Sequence, residues 1–85
     1  MPNANDFRDA IQDRFTNATG LGMAEITIRA GDVHQAVGGY PAANHAMPTC
    51  CNVMRQFMTE GDEVLEAPPR GRGANLVIRY ILPRH

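Results

Sequence analysis

Three observations predict that this chain folds in the α+β class. Three segments repeat apolar residues at i, i+3 and i+4, the spacing of a helix, and two segments carry the alternation or β-branched runs of strands. The third observation is PPRGRG, which separates the last two apolar runs with the prolines and glycines of a hairpin tip. The expected order is helix, short strand, helix, helix, and a C-terminal two-stranded hairpin. All 85 residues are expected to form one domain, with 1–3 and 83–85 expected to fray.

The first helix is expected over Asn3 to Ala18, where Phe7, Ala10, Ile11, Phe15 and Ala18 form one stripe. Asn3 or Asn5 suits its cap, and Asp6 and Asp9 complement the positive end of its dipole. In the following TGLG, Gly20 is the expected left-handed stop. Glu25 to Ile28 alternates polar and apolar, so it predicts a short strand paired with a later one. Asp32 to Val37 then offers Val33, Ala36 and Val37 as the inner face of a short helix ended by Gly38 and Gly39. A turn, YPAANHA, carries Pro41 and Asn44 and leads to the third helix.

That third helix is predicted over Met47 to Gly61. Pro48 fits its first turn because proline's missing N–H has no intrahelical partner there, and Gly61 is placed to end it. Cys50, Val53, Met54 and Phe57 share the inner side, while Thr49, Asn52, Gln56 and Thr59, with Arg55 beside them, recur on the outer side without an acid. Downstream, Asp62 to Ala67 and Ala74 to Leu82 read as the hairpin strands. Leu76, Ile78 and Tyr80 share one face of the last strand and Val77, Arg79 and Ile81 the other, and Arg79 should pack its stem or pair with an acid such as Glu63 or Glu66 on the neighbouring strand.

This order of elements resembles the winged helix-turn-helix superfamily over nearly the whole chain. The resemblance implies a recognition helix at about 47–60 that enters the major groove of double-stranded DNA, and a wing at 67–74 that touches the backbone. It places Thr49, Asn52, Arg55 and Gln56 on the helix and Arg70 and Arg72 on the wing. The segment GGYPAANHAM is about twice the length of the family's usual turn, and Tyr40, Asn44 and His45 are candidates for a contact there.

Charge and side-chain chemistry bear on the same question. Met1 to Glu66 holds nine acids and four arginines, whereas Ala67 to His85 holds four arginines and no acid. One end of the domain is therefore suited to an anion, although the net charge of -1 gives no general attraction to DNA. Every cation is an arginine, able to fork to phosphate or guanine. Asn52 and Gln56 have amides that can pair with adenine, and Arg55 has a base, a phosphate or an acid such as Glu60 as alternative partners.

Catalysis and metal binding find little support. The chain has no serine, adjacent Cys50 and Cys51 read as buried thiols, and His34, His45 and His85 lack metal-ligand spacing to them. No enzyme activity, cofactor, metal or small-molecule substrate is expected. Neither a signal peptide nor a membrane span is apparent, which makes the cytoplasm the expected compartment. The leading reading is a DNA-binding domain, in transcriptional regulation or a DNA-processing complex, acting as a homodimer or within a larger assembly. The alternative is a winged-helix protein-contact module, an adaptor or inhibitor, supported by the acidic first helix and by Met47 or Met58 as an adaptable apolar surface.

Overall fold

The computed structural model describes residues 3–38, 46–68 and 73–83. Its elements are α1 (Ala4–Gly20), β1 (Glu25–Arg29), α2 (Ala30–Val37), α3 (Met47–Gln56), β2 (Glu63–Glu66) and β3 (Val77–Ile81). Three helices pack on one face of a three-stranded antiparallel sheet ordered β1-β3-β2.

Local chemistry explains each boundary. Asn3 caps α1 reciprocally with Asp6: the Asp6 N–H donates to Asn3 Oδ1 at 3.0 Å and the Asn3 N–H to Asp6 Oδ2 at 2.9 Å. Gly20 remains helical, and the left-handed residue is Gly22, with φ 77°. Met23 N–H donates to Ala18 O and Gly22 N–H to Thr19 O, which closes the helix in a Schellman motif around that glycine. The expected stop at Gly20 is thus two residues early.

Strand β1 passes into α2 without a loop. The first helical donors of α2 meet backbone rather than a capping side chain: Ala30 N–H donates to Leu76 O at 2.9 Å and Gly31 N–H to Ala74 O at 3.0 Å. The helix therefore begins two residues before Asp32, and its phase differs from the expected one. Ala30, Val33 and His34 are buried and Val37 is half-buried, at i, i+3, i+4 and i+7, while Ala36 is exposed.

Helix α3 ends at Gln56, short of the predicted 60, because the next residues are held by Asp62. Its carboxylate accepts from Thr59 N–H at 2.8 Å and from Thr59 Oγ1 at 3.3 Å, and its own N–H donates to Thr59 O at 3.0 Å. Gly61, at φ 96°, occupies the third position of this type II turn. Thr59 consequently leaves the outer face of the helix. Asp62 also accepts from Ile81 N–H at 2.8 Å, which ties the turn to β3.

The central strand β3 sets the two sides of the sheet. Ile28 pairs with Ile78 and Ile26 with Tyr80 across β1, while Val64 pairs with Ile78 across β2. A bulge at Leu65 and Glu66 shifts that second register. Leu76, Ile78 and Tyr80, expected to share one face, form the buried face together with Leu82, against Phe7, Ile11 and Phe15 of α1 and Val53 and Met54 of α3. Phe15 meets Tyr80 and Phe57 edge-on, at centroid distances of 5.0 and 5.4 Å, and the Tyr80 hydroxyl donates to Met54 O at 2.7 Å. Sheet and third helix are thus locked by one aromatic cluster and one buried hydrogen bond.

Candidate functional site

The outer side of α3 is held in place from within. Met47, Cys50, Cys51, Val53 and Met54 are buried, which leaves Asn52, Arg55 and Gln56 exposed together. Thr49 is only half-buried and lies at the border of this face, next to buried Val53. Asn52, Arg55 and Gln56 therefore share the face that helical spacing predicts, and Thr49 flanks it. Asn44, His45, Arg70 and Arg72 lie outside the described residues.

Two buried groups tie α3 to its surroundings, one at its start and one at its middle. His34, fully buried on α2, accepts the Ala46 N–H on Nε2 at 2.9 Å and packs edge-on against Phe7 at 5.0 Å. An N–H just before α3 is thereby satisfied by a neighbouring helix. A histidine that looks like a stray metal-ligand type in the sequence is a fastener. On the other side, the Cys51 thiol donates to Gly73 O at 3.4 Å and accepts the Gly73 N–H at 3.3 Å. Gly73 lies against Pro68, for a Cβ built on it would stand 3.2 Å from Pro68 Cγ. The two ends of segment 69–72 therefore meet, and α3 holds the point where they do.

The adjacent thiols diverge, as neighbours on a helix must. Cys50 Sγ donates to Ala30 O of α2 at 3.6 Å, and both cysteines are free. Burial raises the Cys50 thiol from 9.0 to about 12, with the neighbouring Cys51 adding to the rise. Cys50 is therefore a neutral packing group at physiological pH, since a thiolate would be needed for nucleophilic or metal chemistry. Among the described residues, no three His, Cys, Asp or Glu side chains gather as metal ligands, and no helix is long and apolar enough to cross a membrane.

One residue that the sequence reading missed joins the outer face. Arg8, exposed on α1, donates from Nη2 to Gln56 Oε1 at 3.1 Å and from Nη1 to Asn5 Oδ1 at 2.9 Å. These three side chains sit at the seam of α1 and α3, where Arg8, Gln56 and Phe57 line an open groove of about 220 Å³. Arg8 and Gln56 are 48 positions apart, so no local spacing announces their meeting. Both partners of the guanidinium are neutral amide oxygens, and among the described residues no carboxylate pairs with it.

The sheet treats its arginines differently. Arg79 has Glu63 across the strand at 3.8 Å, as the sequence predicts, and also Glu25 at 3.3 Å from Nε, a distance of ion pairing without hydrogen-bond geometry. Arg29 donates to Asn75 Oδ1 at 2.9 Å and to Asp32 Oδ1 at 3.4 Å. The outward sheet surface thus has no excess of positive charge, with Ile81 and Leu65 exposed upon it. Of the methionines proposed as an adaptable surface, Met47 is buried and Met58 half-buried against the core, because both close the ends of α3. No protein-family model matches the chain, and comparison with curated proteins and with solved structures gave no match.

Proposed function

We propose that this chain is a winged-helix domain that binds double-stranded DNA with the outer face of α3. The observation that carries this reading is that face itself: Asn52, Arg55 and Gln56 are exposed together, without an acid, and Arg8 adds a guanidinium that no described carboxylate balances. Asn52 sits at the middle of the face and supplies an amide for reading a base edge. Arg55 supplies charge beside it. Arg70 and Arg72 lie in sequence between Pro68 and Gly73, and Gly73 is bonded to Cys51 of α3, which suits a wing that works with this helix. Contacts of these kinds divide naturally into base reading and backbone holding.

The test is binding to labelled duplexes as a function of salt. A linear fall of log affinity with log salt is expected, shallower when Arg70 and Arg72 are both alanine. Asn52→Ala should instead blur preference between duplex sequences, by about 1 to 3 kcal/mol at one position. No binding to genomic fragments at low salt would overturn the proposal.

A protein-contact role is the second reading, and one observation favours it. Leu65 and Ile81 are 44% and 41% exposed on the sheet surface, beside an arginine already paired with carboxylates, and offer an apolar contact there. It is compatible with DNA binding, since the two surfaces lie on opposite sides of the core.

A further inference from the structure

We infer that Arg8 and Gln56 form a clamp for one backbone phosphate at the seam of α1 and α3, an inference that rests on the DNA-binding reading above. An arginine carries five N–H donors in a rigid fork, and Asn5 and Gln56 occupy two of them. The other three are left for a ligand that accepts. Gln56 gives its carbonyl oxygen to Arg8, so its remaining strong donors are the two N–H bonds of its amide. The groove thus turns donors outward over an apolar floor, Phe57. A phosphate oxygen is an acceptor without a competing donor, so it satisfies such an array, and a guanidinium matches its geometry.

The same bond explains why a phosphate suits this place better than adenine. Reading adenine at N6 and N7 needs an amide that accepts with its oxygen while donating with its nitrogen. In Gln56 that oxygen is already turned to Arg8, which leaves it one lone pair and sets the amide's orientation. Gln56 also lies at the end of α3 and at the margin of its exposed face, beside a second helix, whereas Asn52 lies centrally. The margin of a helix seated in a groove meets the backbone strand that flanks it. Asn5 and Gln56 have a shared purpose in this arrangement: they aim Arg8 without spending its charge, as carboxylates would.

The experiment measures fluorescence anisotropy of two unrelated labelled duplexes against the full chain over a series of salt concentrations. Arg8→Ala is expected to lower affinity for both duplexes equally and to make the slope of log affinity against log salt shallower by about one. Gln56→Glu should give the same shallower slope with Arg8 still present, because a carboxylate at that position pairs with the guanidinium and adds a negative charge. Arg79→Ala should leave the slope at the wild-type value, and thermal melting monitored by circular dichroism should show all three variants folded. Binding by the wild type with an unchanged slope in Arg8→Ala would overturn the clamp while leaving DNA binding intact. A loss confined to one duplex sequence would also overturn it, in favour of a base contact. Absence of wild-type binding would remove both proposals together.

Discussion

Arg8 and Arg79 are each held by two side chains from different parts of the chain, yet they make opposite kinds of surface. Arg79 sits between Glu25 and Glu63, so two carboxylates share one guanidinium and the sheet surface has no excess of positive charge there. Arg8 is held by the amide oxygens of Asn5 and Gln56, which orient it and leave its charge uncompensated. Orientation and neutralisation are separate acts. A surface that must meet an anion needs the first without the second, and only the α1–α3 seam has that combination among these two places.

Substitutions test how independent the two regions are, and the largest effect is expected where they join. Phe15 touches Tyr80 of the sheet and Phe57 below the Arg8 groove, so Phe15→Ala should cost about 3 to 5 kcal/mol in urea unfolding and loosen both at once. Retention of native stability would mean that the aromatic cluster is not the joint between them.

A smaller and pH-limited effect should come from Cys50, on the buried side of α3. Its folded thiol is raised to about 12 from 9.0, so above pH 9 the unfolded chain releases a proton that the folded chain keeps. Stability should therefore be independent of this group below pH 9 and fall between pH 9 and about 12. Cys50→Ala should flatten that limb in unfolding measured at stepped pH, even though its absolute stability is lower. An equally steep limb in the variant would show that other groups cause it.

The smallest effect is expected on the sheet. Replacing Glu25 and Glu63 together by glutamine should change unfolding stability by less than about 1 kcal/mol, because both pairs are exposed. The salt dependence of duplex binding should also keep its slope, since Arg79 faces away from α3. A steeper slope would place DNA on the sheet as well and erase the contrast between the two regions.

The sequence conveyed the elements whose evidence is local. Alternation grouped Leu76, Ile78 and Tyr80 on one face of β3, without telling which face is inner, and the stripe Phe7, Ile11 and Phe15 marked the inner face of α1. Asn52, Arg55 and Gln56 were legible as a shared outer face for the same reason. What escaped depended on distant partners. The α2 phase was set by backbone bonds to Ala74 and Leu76, which turned His34 inward and Ala36 outward. The C-terminus of α3 was set by Asp62, which captures Thr59 before the helix can reach Gly61. Arg8 looked like one cation on an acidic helix until folding brought Gln56 to it. A sequence scan for polar residues that flank two predicted core stripes would have put both on a short list of pairs, although it could not have matched them.

The bond between His34 and Ala46 has a consequence for how this chain tolerates change. It fixes the chain just before α3 directly to α2, with Gly38 bonded back to His34 O at 2.8 Å on the other side. Gly38 and Ala46 are therefore both bonded to one histidine, the first through its backbone and the second through its ring. A substitution that removes this imidazole is accordingly felt at the start of α3, at a residue 12 positions away in the chain, as well as on the helix that carries it.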